Sequence, residues 1–171
     1  MKYSKCELIQ SENSTIFFDE LITFEPETFA KLTSLRGLHD VTVSGNVHYD
    51  STSDLVYADL EVEGLMIVPC SITLEDVEYD FHTKSLEVFS FDKSNKDEDV
   101  HIAKGDVVEL LPVVFQLIIL EIPLKVVKPG LNNYPKGNGW EVVKEEDYIK
   151  EKSDDIDPRL AKLKEFKIEN D

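Results

Sequence analysis

The 171-residue sequence has few cysteines and no long apolar run. Its two cysteines, Cys6 and Cys70, form no C-x-x-C pair for zinc or redox work, and a reduced pair is favoured over a disulfide. The longest uncharged apolar run, 110–120, is shorter than the roughly 20 residues of a membrane span. The N-terminus lacks the apolar segment of a signal peptide. We therefore expect a soluble, cytoplasmic protein.

Positive charge is also scarce. The chain has 18 Lys+Arg against 35 Asp+Glu, and between positions 50 and 109 only four lysines accompany 16 acidic residues. Because nucleic-acid affinity comes mainly from Lys and Arg, broad electrostatic binding of RNA is disfavoured. A basic protein partner is favoured instead, since complementary potentials accelerate encounter. The alternative is that the acidity serves only to keep the protein soluble.

Catalytic and cofactor motifs are missing. The sequence contains no P-loop, no G-x-G-x-x-G, no G-x-S-x-G and no H-E-x-x-H. His48 and His82 lie on polar faces of different predicted strands and could approach each other, although ordinary solvent-facing side chains are the simpler interpretation. We predict that Cys70 is buried and structural, because an acidic neighbourhood disfavours a thiolate. No enzyme activity, metal or cofactor is therefore predicted.

The centre of the chain has the pattern of an antiparallel sheet. Apolar residues alternate with polar ones over 41–49 and 56–64, and the polar loop 50–54 between them predicts a hairpin. Asp59, Glu61 and Glu63 then point away from the core, so the sheet is expected to have one wet, acidic side. Further strands are predicted at 14–18, 77–82 and 86–91.

Helices are predicted on both sides of this sheet region. A short helix is expected within 2–10, and a second over 25–35. The apolar segment 106–121 predicts a helix that begins near Leu110 or Leu111, follows a strand-like 107–110 and is buried on most sides. Pro112 fits the first turn and Pro123 ends this helix. The predicted fold class is α+β: an antiparallel sheet, with barrel-like closure as one option, packed against one apolar helix.

The chain changes character after position 127. Residues 128–139 have loop composition, Trp140 begins a short strand or an anchor, and 144–156 is highly charged and predicted to be mobile. At the end, Asp157 as N-cap, Pro158 at N1 and the periodic Leu160, Leu163 and Phe166 predict an amphipathic helix over 157–167. The predicted organisation is a core domain, 1–127, and an extended charged tail, 128–171.

Four segments, in order, resemble the YceD (DUF177) family. Residues 65–74 resemble the family segment that ends in C-x-R-C-L, and 106–123 its D-x-x-x-L-x-P helix and Leu-x-x-Pro end. Residues 139–143 and 157–163 resemble the tail of Gram-positive-type members, including D-P-R-x-x-x-L. Cys70 matches the first motif cysteine, but Ile72 and Thr73 replace the arginine and the second cysteine, which puts a cysteine-pair role in doubt. The matching positions with an expected structural role are Cys70, Leu74, Pro112 and Pro123.

The resemblance implies a non-enzymatic role in accumulation of large ribosomal subunit RNA. Combined with the charge, it favours a factor whose acidic sheet face, with Asp59, Glu61 and Glu63, binds a basic ribosomal or assembly protein. The alternative is direct binding of 23S rRNA through the basic and aromatic C-terminal region. The sequence leaves the partner and the oligomeric state open. The candidate contacts in the tail are Trp140, Asp157, Pro158, Arg159, Leu160, Lys162, Leu163 and Lys164.

Overall fold

The structure is a computed structural model that describes residues 1–29, 32–95, 97–131 and 134–154. The chain divides into two units, Met1–Lys128 and Pro129–Asp171. The predicted 157–167 helix, with Asp157, Pro158, Arg159, Leu160, Lys162, Leu163 and Lys164, lies outside the described residues.

The first unit is built on a five-stranded sheet. Its strands, in the order in which they pair, are β2 (Thr15–Ile22), β3 (Gly37–Asp50), β4 (Leu55–Pro69), β5 (Asp76–Ser90) and β6 (Val100–Ile102). The first four are antiparallel neighbours, whereas β6 runs parallel to β5. Within the described residues β2 does not pair with β6, so the sheet is open and not barrel-like.

The alternating pattern of β3 and β4 gives the hairpin that the sequence predicts. Their inward side chains, among them Val43, Leu60 and Val62, are fully buried, while Asp59 and Glu63 are exposed. Gly45 faces Leu60 with a φ of +150°, and a Cβ at this position would lie 1.9 Å from the Asp59 carbonyl oxygen. The hairpin therefore requires glycine at position 45 for close approach of the two strands.

The predicted strands 77–82 and 86–91 are in fact one continuous strand, β5. The polar stretch between them, Thr83, Lys84 and Ser85, pairs with Val62, Glu61 and Leu60 of β4. The polar composition suggested a break, but long-range pairing with β4 keeps these residues extended. This outcome follows from tertiary context, which overrides local strand propensity.

The N-terminus combines a strand and a helix. Strand β1 (Lys2–Ser4) pairs with β7 (Val107–Glu109), and α1 (Lys5–Gln10) follows β1 directly. Ser4 and Glu7 form a capping box, with the Ser4 Oγ accepting from the Glu7 N–H and the Glu7 carboxylate accepting from the Ser4 N–H. Leu8 is the buried residue of α1, whereas Ile9 is 53% exposed.

The apolar helix is α2 (Leu111–Leu120), with Pro112 in its first turn as predicted and β7 as the strand-like lead-in. The helix contacts β4 and β5. The expectation of burial on most sides is wrong: Val113, Val114 and Ile118 are buried, but Leu111 and Leu120 are 45% and 72% exposed. A ten-residue helix against one sheet face presents its opposite side to solvent.

The helix predicted over 25–35 is not formed in the residues described there. Pro26–Phe29 forms a single 3₁₀ turn, and Thr33 and Ser34 lie in a bend. Phe29 and Leu35 are nevertheless buried, and the Phe29 ring lies 6.1 Å from that of Phe115. An irregular segment thus buries the residues whose spacing suggested a helix.

The second unit contains a small hairpin, β8 (Lys136–Gly137) and β9 (Trp140–Glu141), followed by α3 (Glu145–Asp154). Trp140 begins a strand, one of the two options that the sequence left open, whereas the helix was not predicted within the charged segment 144–156. Glu145, Glu146 and Asp147 in the first turn favour α3 through the helix dipole.

Candidate functional site: the open face of the sheet

The exposed side of the sheet is a regular grid of side chains. Pairing places three successive outward positions of β2, β3, β4 and β5 side by side, because residues directly opposite each other point to the same face. We call this surface the open face. Its twelve residues are Phe17, Asp19, Leu21, Thr42, Ser44, Asn46, Asp59, Glu61, Glu63, His82, Lys84 and Leu86.

The open face is acidic at its centre. It holds four carboxylates against one lysine, and three of the carboxylates, Asp59, Glu61 and Glu63, stand in a row along β4. The pairing of β4 with both neighbours fixes this row in the middle of the sheet. The three acidic residues named from the sequence are therefore brought together on one exposed surface.

Glu61 is held by neighbours on β5. Its Oε1 lies 2.6 Å from His82 Nε2 and 2.9 Å from Lys84 Nζ. The hydrogen bond with His82, followed by that with Lys84, keeps the pKa of Glu61 below its ordinary value. Glu61 is thus ionised and partly neutralised within the face.

Asp59 and Glu63 differ from Glu61. Among the described residues, neither has a hydrogen-bond or ion-pair partner, and both are exposed. Glu63 also lines a groove of about 500 Å³ together with Asp40, Asp80 and His82. These two carboxylates are therefore free to meet an external cation without breaking an internal contact.

The histidines do not form the pair that the sequence left open. The register places His48 opposite Tyr57, which faces Val88, whereas His82 lies six residues before Val88 on β5. His48 contacts Thr15 at 3.0 Å and His82 contacts Glu61. Within the described part of the chain, no group of three His, Cys, Asp or Glu residues converges as a metal site.

Cys70 lies in the turn between β4 and β5. It is buried and free, as predicted. Its Sγ accepts from the backbone N–H groups of Ile72 and Thr73, both at 3.5 Å, and of Lys128 at 3.4 Å. Hydrogen bonding, first from Thr73, lowers the pKa of the thiol from 9.0 to about 6, so the expectation of a disfavoured thiolate is wrong.

The Cys70 turn also anchors the segment after α2. The Ser71 N–H donates to the Val126 carbonyl at 2.7 Å, the Val126 N–H donates back to Ser71 Oγ, and Lys128 Nζ lies 3.0 Å from Glu75. The acidic composition around Cys70 gave no sign of these backbone N–H donors, because they are brought together only when the turn folds. Cys70 therefore joins the β4–β5 turn to residues 126–128.

The remaining motif residues lie in a turn, at the two ends of α2 and in β9. Leu74 is 66% exposed and has a φ of +60°, in the same turn as Cys70. Pro112 lies in the first turn of α2, and Pro123 follows the Glu121 that caps its C-terminus. Trp140, in the second unit, is 57% exposed, and its ring lies over Gly137.

Sequence reasoning missed the apolar part of the open face. Phe17 and Leu21 on β2 and Leu86 on β5 are 78%, 69% and 64% exposed. For Phe17 and Leu21 the signal in the sequence is the alternation of inward and outward residues over 15–22. This signal is weak because Phe18 and Ile22, on the opposite face, are apolar as well. The open face therefore combines carboxylates with exposed apolar side chains.

The fold and this face define a class of protein: a small, acidic α+β protein that presents one side of an open sheet. The family model described as "Large ribosomal RNA subunit accumulation protein YceD" matches residues 58–167. A relative in Bacillus subtilis (strain 168), "Uncharacterized protein YlbN", is 34% identical over 178 residues, covering 100% of this chain and 99% of the relative. The chain belongs to the YceD family, as its motifs indicated.

The family match includes Asp59, Glu61 and Glu63, whereas β2 and β3 lie before it. The family name implies a role in accumulation of large ribosomal subunit RNA. No solved structure gives a significant match. Among the described helices, none has the length and apolar character to cross a membrane.

Proposed function

We propose that this protein supports accumulation of large ribosomal subunit RNA by binding a basic ribosomal or assembly protein through the open face. The observation that carries the proposal is the β4 row, in which Asp59 and Glu63 are exposed and have no partner among the described residues. In a chain of net charge −17, such a row is suited to Lys and Arg side chains of a partner.

Electrostatics favour a protein over RNA at this surface. Four carboxylates repel a phosphate backbone, and Lys84, the single lysine of the face, is already 2.9 Å from Glu61. A basic protein gains attraction during encounter and retains charge-assisted hydrogen bonds once bound. A factor of this kind protects ribosomal RNA indirectly, by delivering or holding a protein that the RNA needs.

The experiment is capture of ribosomal proteins by the full chain at low and at raised salt. The test variant is Asp59→Asn/Glu63→Gln, and the control is Glu98→Gln/Asp99→Asn, which makes the same charge change in the exposed loop before β6. The proposal predicts salt-sensitive capture of a basic large-subunit or assembly protein, lost in the test variant and retained in the control. Recovery of no such protein at either salt would sink the proposal.

A second candidate is direct binding of 23S rRNA by the second unit. It is favoured by the exposed Trp140 and by Lys144, whose Nζ lies 5.9 Å from the centre of the Tyr134 ring, since cations and aromatic rings together suit unpaired bases. Under this alternative, Lys162→Glu/Lys164→Glu reduces binding of large-subunit RNA, whereas the Asp59→Asn/Glu63→Gln variant leaves it unchanged.

A further inference from the structure

The open face is not flat, because its strands carry side chains of different length. The three positions of β3, Thr42, Ser44 and Asn46, are short and polar. They lie between the long side chains of β2 on one side and of β4 on the other. Together they form the floor of a trough that runs along β3.

The two walls of the trough differ in chemistry. The β2 wall has Phe17 and Leu21, which are 78% and 69% exposed, at its two ends and the exposed Asp19 between them. The β4 wall is the acidic row of Asp59, Glu61 and Glu63. Exposed apolar side chains of this size beside an acidic row are typical of a surface that a partner covers.

The dimensions of the trough match those of a helix. The backbone axes of β2 and β4 are two strand spacings apart, about 10 Å, so a helix about 10 Å in diameter that lies along β3 would touch the side chains of both walls. From Phe17 to Leu21 the wall extends about 14 Å, the length of roughly nine helical residues. Two and a half turns of a helix would therefore contact both walls.

We propose that the trough binds a basic amphipathic helix of the partner protein, with its apolar stripe against Phe17 and Leu21 and its Lys or Arg residues against the acidic row. This inference rests on the proposed function and names the kind of segment that the open face recognises. Charge selects this occupant: RNA would bring phosphates, and a second copy of the face would bring four more carboxylates. A purely polybasic segment would leave the β2 wall uncovered.

A pair of designed peptides tests the requirement for helical periodicity. Both have about 18 residues of leucine, lysine and alanine in the same composition. In one peptide the leucines recur at every third and fourth residue, and in the other they alternate. We expect the full chain to bind the helical-period peptide at least about tenfold more tightly, since as helices only that peptide presents its leucines as one stripe, whereas alternating leucines are spread around the helix. Equal affinity for both peptides would overturn the inference.

Matched variants locate the effect on the trough. In Phe17→Gln/Leu21→Gln the preference for the helical-period peptide should disappear, whereas Leu120→Gln/Leu124→Gln should retain it. The control residues are 72% and 105% exposed and lie outside the open face. Because all four side chains are exposed, we expect these variants to fold. A preference that survives in the Phe17→Gln/Leu21→Gln variant would show that the β2 wall is not used.

A photo-crosslinking residue at position 44, in the trough floor, extends the test to cells. The expected adduct is a segment with apolar residues at i, i+3 or i+4 and i+7, and with Lys or Arg beside them. An RNA adduct, a polybasic segment without this period, a second copy of the chain or no adduct would each contradict the inference. If the trough inference fails while Asp59→Asn/Glu63→Gln still loses the captured protein, the proposed function stands with an electrostatic partner.

Discussion

Replacing Gly45 by alanine tests the close approach of β3 and β4 that carries the open face. Gly45 has a φ of +150°, and an added Cβ would lie 1.9 Å from the Asp59 carbonyl oxygen. Real Cβ atoms essentially never come within 3.0 Å of such an atom, so the strands must move apart by about 1 Å. The movement occurs at Asp59, within the acidic row.

The cost has two parts. An alanine in this backbone region costs about 1–2 kcal/mol. Separating the strands weakens at least two ladder hydrogen bonds, each worth about 1 kcal/mol. Gly45→Ala should therefore lower the free energy of unfolding by about 3–4 kcal/mol, a large share of the roughly 5–15 kcal/mol of an ordinary domain.

Gly105→Ala is the control for a positive φ without a steric clash. Gly105 has a φ of +71°, but an added Cβ meets nothing within 4 Å. Its expected cost is the strain alone, about 1–2 kcal/mol. Urea unfolding followed by far-UV circular dichroism measures both variants. Equal losses in the two variants would refute the steric argument, as would a Gly45→Ala protein as stable as the wild type.

Three further predictions concern stability. Because the Cys70 thiol has a pKa of about 6 in the folded chain against an ordinary 9.0, its ionisation adds to the free energy of unfolding as the pH rises from 6 to 9, and this stabilisation is lost as the pH falls. In Cys70→Ala the free energy of unfolding, measured with urea, should therefore rise less steeply with pH across this window, and an unchanged rise would contradict the lowered pKa. Lys5→Met removes the ion pair with Asp54 and two cation–π contacts, and it should lower the free energy of unfolding by about 1 kcal/mol. A double-mutant cycle with Asp54→Asn should show coupling, and additive effects would contradict a stabilising Lys5–Asp54 ion pair. Ile118→Ala leaves a cavity under α2 and should lower the free energy of unfolding by about 2–4 kcal/mol. A urea midpoint close to that of the wild type would contradict this prediction.

The hairpin and its acidic row could be predicted because apolar and polar residues alternate along each strand. Val41, Val43 and Val47 repeat with period two on β3, and their counterparts on β4 do the same, so the sequence of each strand indicates which side is buried. The polar turn between them fixed the connection. The outward direction of Asp59, Glu61 and Glu63 followed directly.

The errors have physical causes. Phe29 and Leu35 have helical spacing, but they are buried in an irregular segment. The spacing of apolar residues indicates which side chains face the core, and it does not determine the backbone conformation that places them there. Lys84 appeared to interrupt a strand, yet its contact with Glu61 is made across the sheet. In α3, acidic residues in the first turn favoured a helix that has almost no apolar pattern.

The site was predictable only in its charged half. The β2 wall depends on strand register, since Phe17 and Leu21 face the same side of the sheet as the acidic row only when β2 pairs with β3 and β3 with β4 in the observed register. The hydrogen bonds to Cys70 likewise come from a turn and from Lys128, 58 residues away. No local pattern in the sequence contains either arrangement.

The role of the open face can be measured as the ratio of large- to small-subunit ribosomal RNA in cells that lack the chromosomal copy and express a variant at the wild-type level. If the open face acts by binding a basic partner, Glu98→Gln/Asp99→Asn restores the ratio, whereas Asp59→Asn/Glu63→Gln leaves large-subunit RNA depleted. Full restoration by the Asp59→Asn/Glu63→Gln variant would show that the open face does not act by binding a basic partner through these carboxylates.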